Sequence, residues 1–115
     1  MRAIICEEFG SPQNLKIKEI DDPVPGQSDL LLKTLTTGLG FVDALTVAGL
    51  YQMKPSLPFI PGNEIVGEIE QIGDDVKHLR VGQRVLATPS SGGLAEKICL
   101  PESACIPVPD IMSPE

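Results

Sequence analysis

Eleven prolines and eleven glycines cut this 115-residue chain into short apolar runs, and that punctuation limits what it can fold into. Long helices need uninterrupted stretches with a 3.6-residue period, whereas short runs bounded by Gly, Pro, Asn and Asp suit strands joined by turns. The length fits one domain, and 42% hydrophobic residues provide for a true core. A mainly β fold of barrel type is therefore expected.

Periodicity places the elements. Arg2 to Glu8 reads as a first strand. Leu15-Lys16-Ile17-Lys18 alternates apolar and basic residues, which predicts a strand with Leu15 and Ile17 toward the core and both lysines toward water. The segment Asp21-Asp22-Pro23-Val24-Pro25-Gly26 breaks the pattern, and Asp29 to Thr37 forms a third strand that Gly38 and Gly40 end. Phe41 to Ala48 is predicted as a short helix, with Asp43 in the first turn, where a negative charge suits the dipole, and Gly49 where a left-handed cap is wanted. So short a helix is not stable alone in water and must pack one side on the barrel. Tyr51 to Pro61 holds three prolines and is expected to be extended and stiff.

Glu64 to Ile72 is the longest β-like run, with Ile65, Gly67 and Ile69 on one face and Glu68 and Glu70 on the other. Gly67 in mid-strand points to a bulge or a close backbone approach. Turns follow at Gly73-Asp74-Asp75 and Gly82, and Arg84 to Ala87, Ala95 to Leu100 and Cys105 to Val108 complete the strands.

Nine basic residues against sixteen acidic ones give a net charge of −7, which disfavours nucleic acid and anionic lipid as partners. No stretch approaches the roughly 20 apolar residues of a membrane span, and the start lacks the layout of a secretory signal. Cys6, Cys99 and Cys105 cannot all pair within one chain and form no C-x-x-C, which suits a reducing, cytoplasmic setting. Cys99 and Cys105 are read either as small buried apolar residues or as ligands or a redox pair. His78 lies in a polar stretch and is read as solvated.

The densest collection of site-like features runs from Gly40-Phe41-Val42-Asp43-Ala44-Leu45 through Gly49-Leu50-Tyr51 to Leu57-Pro58-Phe59-Ile60-Pro61-Gly62-Asn63-Glu64. With the opening Met1-Arg2-Ala3-Ile4-Ile5 and the run Val81-Gly82-Gln83-Arg84-Val85, it resembles the amino-terminal half of the medium-chain dehydrogenase/reductase superfamily. Within it, the zinc-free NADPH-dependent quinone oxidoreductases are the nearest branch. The resemblance implies a GroES-like, partly open β-barrel with one or two short helices, residues 1–108 being the substrate-side catalytic domain. It implies that residues 109–115 lead toward a Rossmann domain absent from this chain, which would bind most of the NADPH. It further implies hydride transfer from nicotinamide to a quinone or enone, and a homodimer for the full-length form. The isolated chain is then expected to be nearly inactive and to self-associate through the apolar face left bare. The alternative is a free-standing barrel of co-chaperonin type acting through protein contacts, since fold alone does not fix function.

Two tests follow from the resemblance. Gly38-Leu39-Gly40-Phe41-Val42-Asp43 begins a dinucleotide-binding turn but puts Asp43 where the third glycine belongs, beside the phosphates. Where the zinc branch has a cysteine before the helix and Gly-His-Glu after the proline loop, this chain has Gly40 or Phe41 and Gly62-Asn63-Glu64, and neither supplies a thiolate or imidazole. A structural zinc lobe is replaced by the short loop Thr88-Pro89-Ser90-Ser91-Gly92-Gly93. A reductase half-site without metal remains, in which positioning and charge neutralisation carry the chemistry.

By that resemblance Tyr51, the single tyrosine, and Asp43 are the candidate catalytic residues. Tyr51 either contacts substrate or nicotinamide through ring and hydroxyl, or packs its loop on the barrel. Asp43 either bonds substrate or cofactor amides or caps the helix. Gly40, Phe41, Val42, Asn63, Glu64, Gly93 and Leu94 are the candidate lining residues. Gly40 stands where relatives often carry an asparagine, and Asn63 is the substitute amide. Glu64 is read as an orienting or a structural carboxylate. Gly93 either lets a flat ring approach or makes a plain turn.

Overall fold

The computed structural model describes residues 1–115. Seven strands and one α-helix follow in order: β1 Arg2–Ile5, β2 Lys16–Glu19, β3 Asp29–Gly38, α1 Phe41–Ala48, β4 Glu64–Ile72, β5 Arg84–Ala87, β6 Lys97–Pro101 and β7 Cys105–Pro107. Single 3-10 turns at Pro12–Asn14 and Glu102–Ala104 complete the regular structure. A five-stranded sheet has the order β6-β3-β4-β5-β7, and β1 pairs β2 in a separate ribbon. Every strand pairing is antiparallel, so the chain contains no βαβ unit. No helix is long and apolar enough to cross a membrane.

The expected alternation in β4 is present: Ile65, Gly67 and Ile69 are buried while Glu64 and Glu68 are exposed. With Leu30, Leu32, Val85, Ala87 and Ile98 from the neighbouring strands, these isoleucines form the main core on one face of the sheet. Gly67 is a close approach rather than the bulge itself. A Cβ there would lie 3.0 Å from the Lys33 carbonyl oxygen and 3.1 Å from Leu32 Cβ. The extra residue sits on the partner strand, where Leu35 is skipped between the pairs Thr34↔Gly67 and Thr36↔Val66. Such bulges sharpen strand twist and curl a sheet toward a barrel.

The β1–β2 ribbon closes the barrel from the side. Backbone bonds from Ile4 N to Leu94 O (2.9 Å) and from Glu96 N to Arg2 O (3.1 Å) tie it to the chain before β6, and Cys6 exchanges two bonds with Phe59. Two expectations are corrected here. β1 ends at Ile5 rather than Glu8, Cys6 continuing only as an isolated bridge. In the second, Ile17 does not face the core: its register partner is Ile4, on the outer side of the ribbon, and it is 74% exposed. Lys16 and Lys18 pair opposite Ile5 and Ala3, on the inner side, but all of β2 is exposed, so their amines reach solvent and the Glu7 carboxylate. Alternation reveals that a strand has two faces. Which face finds a core depends on what lies beneath it.

Candidate functional site

Helix α1 spans Phe41–Ala48, as its caps require. Gly40 precedes it in extended conformation, and Gly49 ends it at φ 75°, where Leu50 N donates to Leu45 O at 2.9 Å. Asp43 reaches back from the first turn and accepts the Gly40 amide proton at 2.9 Å. The helix then packs through Val47, which is buried with Phe59 and Cys6 and backed by Phe9 and Leu15. The Phe9 and Phe59 rings meet at 6.1 Å between centroids in a tilted pair. Helix and proline loop are therefore held by one small apolar cluster, and the gap between them and the loop after β5 is a cleft of about 510 Å³.

Val42 and Thr46 of the helix, Tyr51 and Lys54 of the loop, and Asn63 and Glu64 at the start of β4 border this cleft, and Thr88 to Ser91 form its remaining wall. Four candidates from the sequence, Val42, Tyr51, Asn63 and Glu64, are thus brought together. Asp43 lies behind them, 8% exposed, against a small void shared with Asn63 and Ser90. Gly40 and Phe41 sit beyond the border at the helix start, Phe41 being 78% exposed. Gly93 and Leu94 border a different, shallower depression with Arg2, Ile4 and Thr37.

Gly93 has a local reason to be glycine. The chain segments around Gly62 and Gly93 run together, with Gly92 N donating to Ile60 O (2.7 Å), Leu94 N to Pro61 O (2.8 Å) and Gly93 N to Gly62 O (2.9 Å). A Cβ on Gly93 would stand 2.9 Å from Gly62 O, and one on Gly62, whose φ is +105°, 2.7 Å from Leu94 N. This seam sets the position of the next residue, Asn63. Thr46, Thr88, Ser90 and Ser91 went unread in the sequence because hydroxyls in a loop carry no periodic signal. The only hint was that Ser90-Ser91 replaces a longer insertion at the same point.

The titratable groups near the cleft are simple. Burial raises the thiol pKa of Cys6 and, to about 11, that of Cys105, so both are neutral packing residues in or beside strands. Cys99 is half-buried on β6 with its pKa likewise raised by burial. His78 is exposed, and no group of three or more His, Cys, Asp or Glu side chains is placed to hold a metal ion. The turn before α1 does not fit a nucleotide pyrophosphate: the Gly40 amide that would meet a phosphate is taken by the Asp43 carboxylate, and that charge would repel the phosphate.

Residues 26–110 match the model of the alcohol dehydrogenase GroES-like domain. The chain belongs to that family. It is thereby a domain of the medium-chain dehydrogenase/reductase superfamily, and the partly open barrel described above is the GroES-like fold. A quinone oxidoreductase-like protein 2 homolog of Nematostella vectensis is 38% identical over 113 residues, covering 97% of this chain and 31% of that protein. The crystal structure of the human synaptic vesicle membrane protein VAT-1 homolog-like protein superposes with a TM-score of 0.95 at 32% identity, over 99% of this chain and 37% of the other. The quinone oxidoreductase of Thermus thermophilus, also solved in complex with NADPH, gives 0.85 at 33% identity, over 100% and 35%. The chain thus spans about a third of the length of the relatives it matches.

Proposed function

We propose that this chain is the substrate-side domain of an NADPH-dependent, zinc-free quinone or enone reductase. The observation that carries the reading is the convergence of Val42, Tyr51, Asn63 and Glu64 on one cleft, in a domain whose relatives include quinone oxidoreductases. NADPH, when bound, supplies the hydride; this chain holds and polarises the acceptor. Val42 and Met53 pack against the acceptor ring, the Tyr51 hydroxyl donates to the oxygen that gains charge, and the Asn63 amide fixes the ring in its plane. Asp43 is a positioning residue that keeps α1, and with it Val42, in place.

The phosphates of the nucleotide belong on another domain, because the only glycine turn before a helix here is closed by Asp43. Zinc has no place in the scheme, since Gly40, Phe41 and Asn63 offer neither thiolate nor imidazole. Leu39, Phe41 and Leu50, which flank or begin α1, are 72, 78 and 76% exposed and are apolar positions that other domain could cover. The full-length form is proposed to be a cytoplasmic homodimer, and unpaired cysteines suit that setting.

Tyr51 is the single tyrosine of a chain without tryptophan, so its emission reports the cleft alone. Duroquinone is expected to quench it to a saturating limit, while NADPH binds the isolated chain weakly. Quenching that never saturates, matching free tyrosine amide, would refute the quinone site; tight NADPH binding would refute the division of labour.

A further inference from the structure

The cleft is more polar than a site for a bare aromatic ring needs to be. Tyr51, Asn63, Thr88, Ser90 and Ser91 all border it, and none of them hydrogen-bonds through its side chain within the chain, whereas the Thr46 hydroxyl on the same wall is tied to Val42 O at 2.7 Å. Lys54 stands on the lip, its ammonium 6.0 Å from the centroid of the Phe9 ring. Phe9 packs against the same apolar cluster that holds the helix, which gives the lysine a fixed base. In a chain with sixteen acidic and nine basic residues, Lys54 has no carboxylate partner, while the ion pairs engage Arg2, Lys16, Lys18, Lys97 and the N-terminus. The one carboxylate bordering the cleft, Glu64, lies against β3, where a Cβ on Gly38 would be 2.8 Å from its Oε2.

We propose that the cleft selects acceptors bearing an anionic substituent, read by Lys54, with the acceptor's ring oxygens taken by the free hydroxyl and amide groups beside it. The inference rests on the quinone-site reading above and narrows it to a substrate class. An unpaired ammonium over an aromatic ring attracts a sulfonate or carboxylate directly, and the hydroxyls satisfy carbonyl oxygens that would otherwise lose water on entry. Neutral quinones still bind, through ring and carbonyl contacts, but without the charge contact.

The test uses two anthraquinones that share a ring system and differ in charge, the 2-sulfonate and the 2-methanol, titrated into the isotope-labelled chain by NMR. Both are expected to move the amide resonances of Val42, Tyr51 and Ser90, with the sulfonate binding about fivefold more tightly, the size of an exposed ion pair. Lys54→Gln should erase that preference, bringing the two ligands to about equal affinity, its spectrum confirming an intact fold. Lys33→Gln, an exposed lysine of β3 away from the cleft, should leave the preference intact. Equal affinities in the parent chain, or a preference that survives Lys54→Gln, overturn the role of Lys54 while the quinone cleft stands. If neither ligand moves those resonances, both the cleft reading and the Lys54 proposal fall.

Discussion

Asp43 is 8% exposed and bonds the Gly40 amide at 2.9 Å, so one carboxylate satisfies a free helix amide and meets the positive end of the helix dipole. Asp43→Ala is expected to cost about 1–2 kcal/mol in urea unfolding, in the range of lost caps. Asp43→Asn keeps a side-chain acceptor and should recover roughly half of that loss. Gly62 is at φ +105° with a would-be Cβ 2.7 Å from Leu94 N, so Gly62→Ala combines backbone strain with a clash against main chain. A loss of about 2–4 kcal/mol is expected, visible as a lower thermal midpoint. Gly82, at φ +92° with nothing within 4 Å of its Cβ, carries only the strain and should lose less on the same change.

The helix was legible in the sequence to both ends because its stop and start signals are local: Gly40 before it, Asp43 in the first turn, Gly49 after it. β4 and β5 were legible for a similar reason, since the alternation in Glu64–Ile72 and the bounded run Arg84–Ala87 match their burial. The inward face of β2 was not, because β2 pairs only with β1 and all four of its residues are exposed, so no core lies under the face that alternation picked out. A direct check follows at this scale. Ile17→Thr, on an outward face, should change stability by no more than about 0.5 kcal/mol, whereas Leu32→Ala, fully buried on β3, should cost about 2–5 kcal/mol. Equal losses at the two sites in denaturant unfolding would contradict the register Ile4↔Ile17.

Across the whole molecule, opposed charges clamp the N-terminal strand to the barrel. Asp22 pairs with the N-terminal ammonium at 3.1 Å and with Lys97 at 3.2 Å, and Lys97 also meets Glu70 at 3.2 Å. Hydrogen bonds to the N-terminus and then to Lys97 hold the Asp22 pKa below its ordinary 3.8; those to Lys18 and Lys16 hold Glu7 below 4.5; and the Arg2 amide and side chain do the same to Glu96. Depressed carboxylates stabilise the fold fully above their unfolded pKa, and that contribution is lost as pH falls through the folded values. The N-terminal ammonium is raised above 8.0, chiefly by Asp22, and the Cys105 thiol, by burial, from 9.0 to about 11. Raised groups act in the other sense: their contribution is complete below the unfolded pKa and is lost as pH climbs through the folded one. Thermal midpoints should therefore be level from about pH 5 to 8 and decline on both sides, the alkaline decline steepening between about 9 and 11. A midpoint still rising above pH 9 would contradict the burial of Cys105.

What the residues determined unaided was local: turns at Gly and Pro, strand against helix, the caps of α1 and a composition that favours strands. The family resemblance added the candidate residues without placing them. Only tertiary structure decided which of them meet. Val42, Tyr51, Asn63 and Glu64 share a cleft because a backbone seam between Gly62 and Gly93 and an apolar cluster around Val47 and Phe59 bring three distant segments together. The same folding turned Gly93 into a packing contact, put Ile17 in water and set Lys54 beside Phe9 without a carboxylate partner. Local signals act over a few residues of chain. Contacts made through space leave no fixed spacing in sequence by which they can be read.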